Sequence, residues 1–144
     1  MGREKEIAKE ISMLVPTLIR HMYPYVFQPI PIPPAQVLAI TTLNERGACH
    51  LKELSRQMHI SAPTVTGIVH RLEKGGYVKR QADKNDRRAF IIELTDKGRK
   101  MNEEFRTKIK NRWETILLKL APEDQENIVK MLRKITEGFS RGQI

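Results

Sequence analysis

A chain of 144 residues suits one domain with helical extensions, and 40% apolar residues with 30% charged ones and few aromatics fit a helix-rich soluble protein. A single cysteine, Cys49, excludes an intramolecular disulfide and a cysteine-based zinc site. No run approaches the length of a membrane span, and "MGREKEIAKEIS" lacks a signal peptide's apolar region, so a cytoplasmic location is expected. The net charge of +9 is concentrated: residues 49–100 hold twelve Lys/Arg against six acids, whereas 1–48 hold five against four and 101–144 nine against seven, and such a local excess attracts a polyanion.

Residues 4–22 carry Ile7, Ile11, Leu14 and Leu18 at helical spacing, and Pro16 inside that stripe is expected to kink it. Five prolines between positions 24 and 34 predict an irregular connector. A second helix can start at Pro34, with Val37, Leu38, Ile40, Thr41 and Leu43 as its apolar set and Gly47 as a left-handed cap. A short extended piece, "ACH", follows. Leu51, Leu54 and Met58 then form a short helical stripe and Ile60 sits in a turn. Ser61 can cap another helix over 61–75, in which Val65, Ile68, Val69 and Leu72 recur at inward spacing. Two short helices joined by a tight turn are a helix-turn-helix unit.

The outward face of the helix at 61–75 carries Pro63, Thr66, Gly67 and His70, flanked by Thr64 and Arg71, with no acid before Glu73. Short side chains, hydroxyls and an arginine are what entry into a DNA major groove requires. The bland alternative is an ordinary helical hairpin. The stretch "YVKRQADKNDRRAFIIELT" then reads as two strands around a polar turn that bears Lys84, Asp86, Arg87 and Arg88. A helix-turn-helix followed by a hairpin is a winged helix. An arginine at the wing tip suits a minor groove. Asp86 would repel phosphate, so the expected role is internal: it accepts from Arg88 and fixes the guanidinium. The alternative is a solvated turn.

A long helix follows, with Thr95 as N-cap and Phe105, Ile109, Trp113, Ile116, Leu117 and Leu120 on one face. Pro122 restarts a final helix through about Phe139, with Ile128, Met131, Leu132 and Ile135 on one side.

The order of helix-turn-helix, "LEKGGYVKR", Asp86-x-Arg88 and Leu94-Thr95-x-x-Gly98 resembles the MarR family of winged-helix transcription regulators. The resemblance covers nearly the whole chain. It implies a mainly α fold with a small β-hairpin wing, the winged helix-turn-helix being flanked by N- and C-terminal dimerisation helices. The implied segments are 1–33, an N-terminal dimerisation helix and connector; 34–98, the DNA-binding domain; and 99–144, C-terminal dimerisation helices. Ser61, Pro63, Thr64, Thr66, His70 and Arg71 are then the recognition-helix candidates, and Lys84, Asp86, Arg87 and Arg88 the wing candidates. Arg88 matches the family's minor-groove arginine and Asp86 its orienting partner. The connector is richer in proline than expected of the family, and His59 stands where many such turns carry glycine.

A winged helix alone cannot cover the apolar faces of the terminal helices. A homodimer is therefore expected, with Ile7, Ile11, Leu14, Leu117, Leu120, Ile128, Met131 and Ile135 at its interface and a pseudo-palindromic operator as its partner. By the resemblance, a small anionic or phenolic effector would bind between the dimer helices and the winged helix. Tyr23, Tyr25 and Phe27 are the pocket candidates, with core filler as the alternative. No catalytic constellation, metal site or cofactor is expected, and Cys49 reads as a buried structural thiol. The function expected is double-stranded DNA binding by a repressor, with a non-specific architectural or RNA-binding winged helix as the alternative.

Overall fold

The computed structural model describes residues 2–144; residue 1, which belongs to the first predicted segment, lies outside the described residues. Among the described residues, six helices and one hairpin follow in the order α1 (Gly2–Val26), α2 (Pro34–Arg46), α3 (Leu51–Met58), α4 (Ala62–Lys74), β1 (Val78–Ala82), β2 (Phe90–Leu94), α5 (Asp96–Leu117) and α6 (Pro122–Ser140). The architecture is the mainly α, hairpin-bearing winged helix. The chain packs as two units, one running to Ile109 and the other from Lys110 to Ile144.

In the first unit, α1 is longer than the periodicity predicts. Pro16 and Pro24 both lie inside it, so the proline-rich stretch becomes irregular only after Val26. Pro24 removes one intrahelical donor, and the carbonyl it frees at Arg20 lies on an exposed turn where water can meet it. Val26 is the one buried residue among those described in α1. Phe27 continues the last turn by donating its N–H to the Tyr23 carbonyl at 2.9 Å.

The core lies under the winged helix. Val37, Ala39, Ile40 and Leu43 of α2 meet Leu54 of α3 and Val65, Ile68, Val69 and Leu72 of α4. The four inward positions expected of α4 are all buried. Leu38 is a correction: it is 49% exposed, and Ala39 takes the core position instead. At about 100° per residue, Gln36, Val37, Ala39, Ile40 and Leu43 share one arc of the helix and Leu38 lies roughly opposite it. Gly47 adopts the expected positive φ (82°), but its ψ of −175° is extended rather than left-handed helical. The chain thus leaves α2 already aimed at Cys49, which pairs with Ile92 through N–H···O bonds in both directions (3.1 and 2.7 Å).

β1 and β2 pair antiparallel in the register Val78↔Leu94, Arg80↔Ile92 and Ala82↔Phe90. Val78, Ile92 and Leu94 face the core, so the hairpin is anchored at its base. Thr95 caps α5 as expected: its Oγ1 accepts from Gly98 N–H at 3.2 Å and donates to the Gly76 carbonyl. Gly98 is buried against the Tyr77 backbone, and a Cβ there would fall on the Tyr77 carbonyl oxygen. The glycine that weakens the helix start is what allows α5 to cross this chain so closely.

In the second unit, α6 begins at Pro122 behind an extended Ala121, and the Gln125 amide donates to the Leu117 (2.7 Å) and Leu120 (3.1 Å) carbonyls. Those bonds satisfy two acceptors at the end of the preceding helix. Gly138 packs under Ile144.

Candidate nucleic-acid interface

The site is built from α4 and the loop between β1 and β2. Ser61 caps α4 by accepting the Thr64 N–H at 3.4 Å, and its hydroxyl lies 2.8 Å from Thr64 Oγ1. A cap of this kind contributes about 1 kcal/mol and fixes where the helix begins. The turn before it depends on His59, which adopts φ 56°, ψ 38° and is the sole non-glycine with positive φ among the described residues. Its N–H donates to the Arg56 carbonyl, while Ser55 Oγ donates to the Ile60 carbonyl at 2.5 Å. The helix-turn-helix thus closes without glycine, although this conformation costs about 1–2 kcal/mol for an L-residue.

With α4 fixed, Ser61, Pro63, Thr64, Thr66, His70 and Arg71 are all exposed, as the sequence predicts. Thr66 Oγ1 donates back to the Ala62 carbonyl at 2.9 Å, and the hydroxyl oxygen keeps its lone pairs as acceptors. Gly67 has open space above it: a Cβ added there would meet nothing nearer than an Arg71 guanidinium nitrogen at 3.8 Å. Glu73, the one acid of the helix, is paired with Arg80 of β1 at 3.3 Å. That pair ties the first wing strand to the last turn of α4 and removes the helix's negative charge from the exposed face.

The wing repeats this pattern. Glu93 pairs with Lys79 at 3.2 Å. Asp83 Oδ1 accepts the Asn85 N–H at 2.9 Å and Asp83 Oδ2 lies 3.0 Å from His50 Nε2. Asp86 Oδ1 accepts the backbone N–H of Arg88 at 3.0 Å. This corrects the expected contact: the carboxylate holds the Arg88 main chain in a local turn, not its guanidinium. An aspartate two residues ahead of an N–H readily forms this ring, whereas reaching the guanidinium would need the long arginine chain to fold back at an entropic cost. Lys84, Arg87 and Arg88 are exposed, and none has an ion pair or hydrogen-bonded side chain among the described residues. Every acid of α4 and the wing is engaged, and the tip cations are free.

The other predicted residues fall as follows. Ile7, Ile11 and Leu14 are exposed along α1, and Met131 and Ile135 along α6; Leu117, Leu120 and Ile128 are half-buried within the second unit. Tyr23 and Phe27 stack at 5.2 Å and Phe27 meets Phe105 at 5.3 Å. Tyr25 is 53% exposed; two residues from either partner, it lies off their shared helical face. The aromatic trio is therefore Tyr23–Phe27–Phe105, and Phe105 was readable only as part of a distant helix. Tyr23 also lines a shallow cleft with Pro16, Ile19, Arg20, Pro24 and Gln28. Cys49 is buried, and burial with the nearby Glu53 charge pushes its thiol above the ordinary range. His50, read only as part of a short strand, proves to be joined to the wing. Among the described residues no cluster of three or more His, Cys, Asp or Glu is placed to hold a metal ion, and no helix is long and apolar enough to cross a membrane.

A helix-turn-helix whose second helix presents a hydroxyl-bearing, acid-free face beside a cation-tipped hairpin is a winged helix of the nucleic-acid-binding type. Residues 32–90 match the MarR family model. FarR, an HTH-type transcriptional regulator of Neisseria gonorrhoeae, is 38% identical over 54% of this chain and 53% of its own length, so the matched stretch spans about half of that relative. A MarR family protein from Bacillus stearothermophilus shares the fold with a TM-score of 0.84 at 24% identity, over 97% of this chain and 98% of that one. Bordetella bronchiseptica BpsR, whose structure concerns regulation of its DNA binding by 6-hydroxynicotinic acid, aligns with a TM-score of 0.67 at 26% identity, over 88% and 98% of the two chains. The winged-helix segment of this chain is thus similar to the MarR family of transcription regulators, and the chain shares its fold with MarR family proteins.

Proposed function

We propose that this protein is a homodimeric repressor that recognises a pseudo-palindromic DNA operator and releases it on binding a small anionic or phenolic effector. The observation that carries the reading is the charge arrangement of the α4 face and wing: Glu73, Asp83, Asp86 and Glu93 are engaged by protein partners, while Arg71, Lys84, Arg87 and Arg88 are not. In this reading α4 enters a major groove, with Thr64, Thr66, His70 and Arg71 meeting base edges and phosphates. Arg88 enters the flanking minor groove, and Lys84 and Arg87 contact phosphates. Residues 34–98 form the DNA-binding segment, and 1–33 and 99–144 the dimerisation segments. The protein acts in the cytoplasm and has no catalytic role.

Dimerisation is supported by the unpartnered stripes. Ile7, Ile11, Leu14 and Leu18 are 45–59% exposed on α1, and Met131 and Ile135 are 51% and 45% exposed on α6. Apolar rows of this length are unusual on a monomer. A two-fold dimer would place its half-sites about one helical turn apart, and a ligand preferring another spacing would weaken DNA binding by linkage. The effector class rests on the Tyr23–Phe27–Phe105 cluster and on the hydroxylated aromatic acid named for BpsR.

Selection of bound sites from random duplex DNA tests the reading. An inverted repeat is the expected product. Equal affinity for unrelated duplexes would replace it with the architectural alternative, and preference for RNA with the RNA-binding one.

A further inference from the structure

Outside the DNA-facing residues, one side chain joins the helix-turn-helix to the wing. His50 stands at the N-cap position of α3, directly after the Cys49–Ile92 bridge. Its Nδ1 lies 3.1 Å from the Phe90 carbonyl oxygen, at the first residue of β2. Its Nε2 lies 3.0 Å from Asp83 Oδ2, one residue past the end of β1. With Asp83 ionised, both of these oxygens can only accept. A neutral imidazole carries one N–H and can satisfy one of them; the imidazolium carries two and satisfies both. The Asp83 carboxylate also holds the Asn85 N–H, and the Asp83 N–H donates to the Ala89 carbonyl at 3.1 Å. Ala89 N–H in turn donates to the Asp86 carbonyl, next to the Asp86 turn that holds Arg88.

We infer that His50 is a proton-dependent positioning residue for the wing: doubly protonated, it clamps both ends of the Asp83–Ala89 loop and holds Arg87 and Arg88 in place, and deprotonated it releases one end. The sign follows from the bonds. The clamp is complete where the ring carries both protons, and it loses one contact when the ring gives up a proton at higher pH. The other titratable or charged groups at this corner are the Cys49 thiol on the preceding residue, Lys52 and Glu53 in the first turn of α3, and Lys84 beside Asp83. Glu53 acts on Cys49, and none of the four is bonded to the ring. His59 and His70, exposed on the turn and on α4, are the remaining histidines of the helix-turn-helix, and neither is bonded to Asp83 or Phe90.

The test compares the wild-type protein with His50→Gln and Asp83→Asn in two measurements. The first is amide hydrogen exchange at Asp83 and Ala89, expressed as protection relative to the intrinsic rate. Wild-type protection is expected to fall about tenfold between about pH 5.5 and about pH 8, while both variants give low, pH-independent values. The second is binding of a fluorescein-labelled A·T-rich duplex about three helical turns long. Wild-type affinity should drop about fivefold more over that range than affinity of either variant, whose residual slope reports everything other than the clamp. This second measurement rests on the DNA-binding reading; the first does not. Absence of duplex binding at every pH would therefore sink that reading, while exchange still decides the clamp. Identical protection–pH curves for wild type and His50→Gln would overturn the inference, as would pH dependence retained in Asp83→Asn. Asp83→Asn keeps the histidine and also serves if His50→Gln fails to fold.

Discussion

Replacing Arg88 with alanine separates what the wing does for DNA from what it does for the fold. The Arg88 side chain is exposed and has no partner, and Asp86 holds only its backbone N–H, which alanine keeps. The substitution should therefore change folding stability by less than about 0.5 kcal/mol, the ordinary range for a surface site. If the guanidinium enters a minor groove, its loss removes a contact worth about 1–3 kcal/mol, or about 5- to 150-fold in affinity. Arg87→Ala, removing a phosphate contact, should weaken all duplexes evenly and reduce the salt slope of log K by about one. Asp86→Ala should act differently again. It frees the loop backbone, so affinity falls although no cation is lost. Fluorescence anisotropy against a selected duplex at two salt concentrations, alongside thermal melts, reads all three. Wild-type affinity in Arg88→Ala with an unchanged melting temperature would refute the assignment of the wing.

Gly98→Ala places a methyl on the Tyr77 carbonyl oxygen and should destabilise by about 2–3 kcal/mol, read as a lower urea midpoint; an unchanged midpoint would show that α5 can move aside. His59→Gly relieves a left-handed residue but frees the unfolded chain, so a net gain of about 0.5–1 kcal/mol is expected, with DNA affinity unaltered. Cys49, with its thiol raised by burial and Glu53, should react slowly with iodoacetamide near neutral pH and quickly once urea exposes it. Because the unfolded thiol ionises first, stability should decline as pH rises through the alkaline range, and Cys49→Ala should remove that part of the decline. Rapid alkylation of the native protein would contradict the burial of Cys49.

The winged helix was legible because its pattern is local. Val65, Ile68, Val69 and Leu72 are spaced to bury one face of α4, Ser61 announces its start, and "ADKND" marks the turn of the hairpin. What escaped was set by neighbours distant in sequence or by single-residue choices. Leu38 turns to solvent and Ala39 inward because helix rotation sets Leu38 opposite the arc shared by Val37, Ala39, Ile40 and Leu43, whatever its hydrophobicity. Pro24 does not stop α1, because the Arg20 carbonyl it frees lies on an exposed turn where water can meet it. Phe105 joins Tyr23 and Phe27 across nearly eighty positions, and His50 reaches Phe90 across forty. No periodicity encodes contacts of that separation. Asp86 was placed correctly at the tip but given the wrong partner, since sequence spacing fits the backbone N–H and the guanidinium equally well.

The wing's local net charge is misleading until partners are assigned. Asp83, Asp86 and Glu93 would cancel much of the positive charge contributed by Lys79, Lys84, Arg87 and Arg88 if all seven groups faced solvent alike. They do not. Glu93 is spent on Lys79 at the hairpin's base, Asp83 on His50, and Asp86 on a main-chain N–H, while Glu73 of α4 is engaged by Arg80. The acids hold the hairpin's shape and the cations at its tip remain free to face outward. Such a division also explains why removing an acid should not strengthen DNA binding, as simple charge counting requires. Asp83→Asn and Asp86→Ala each add one unit of positive charge to the wing, yet each loosens the loop that presents Arg88. Weaker binding by both variants would show that geometry outweighs net charge at this surface; tighter binding by both would show the reverse.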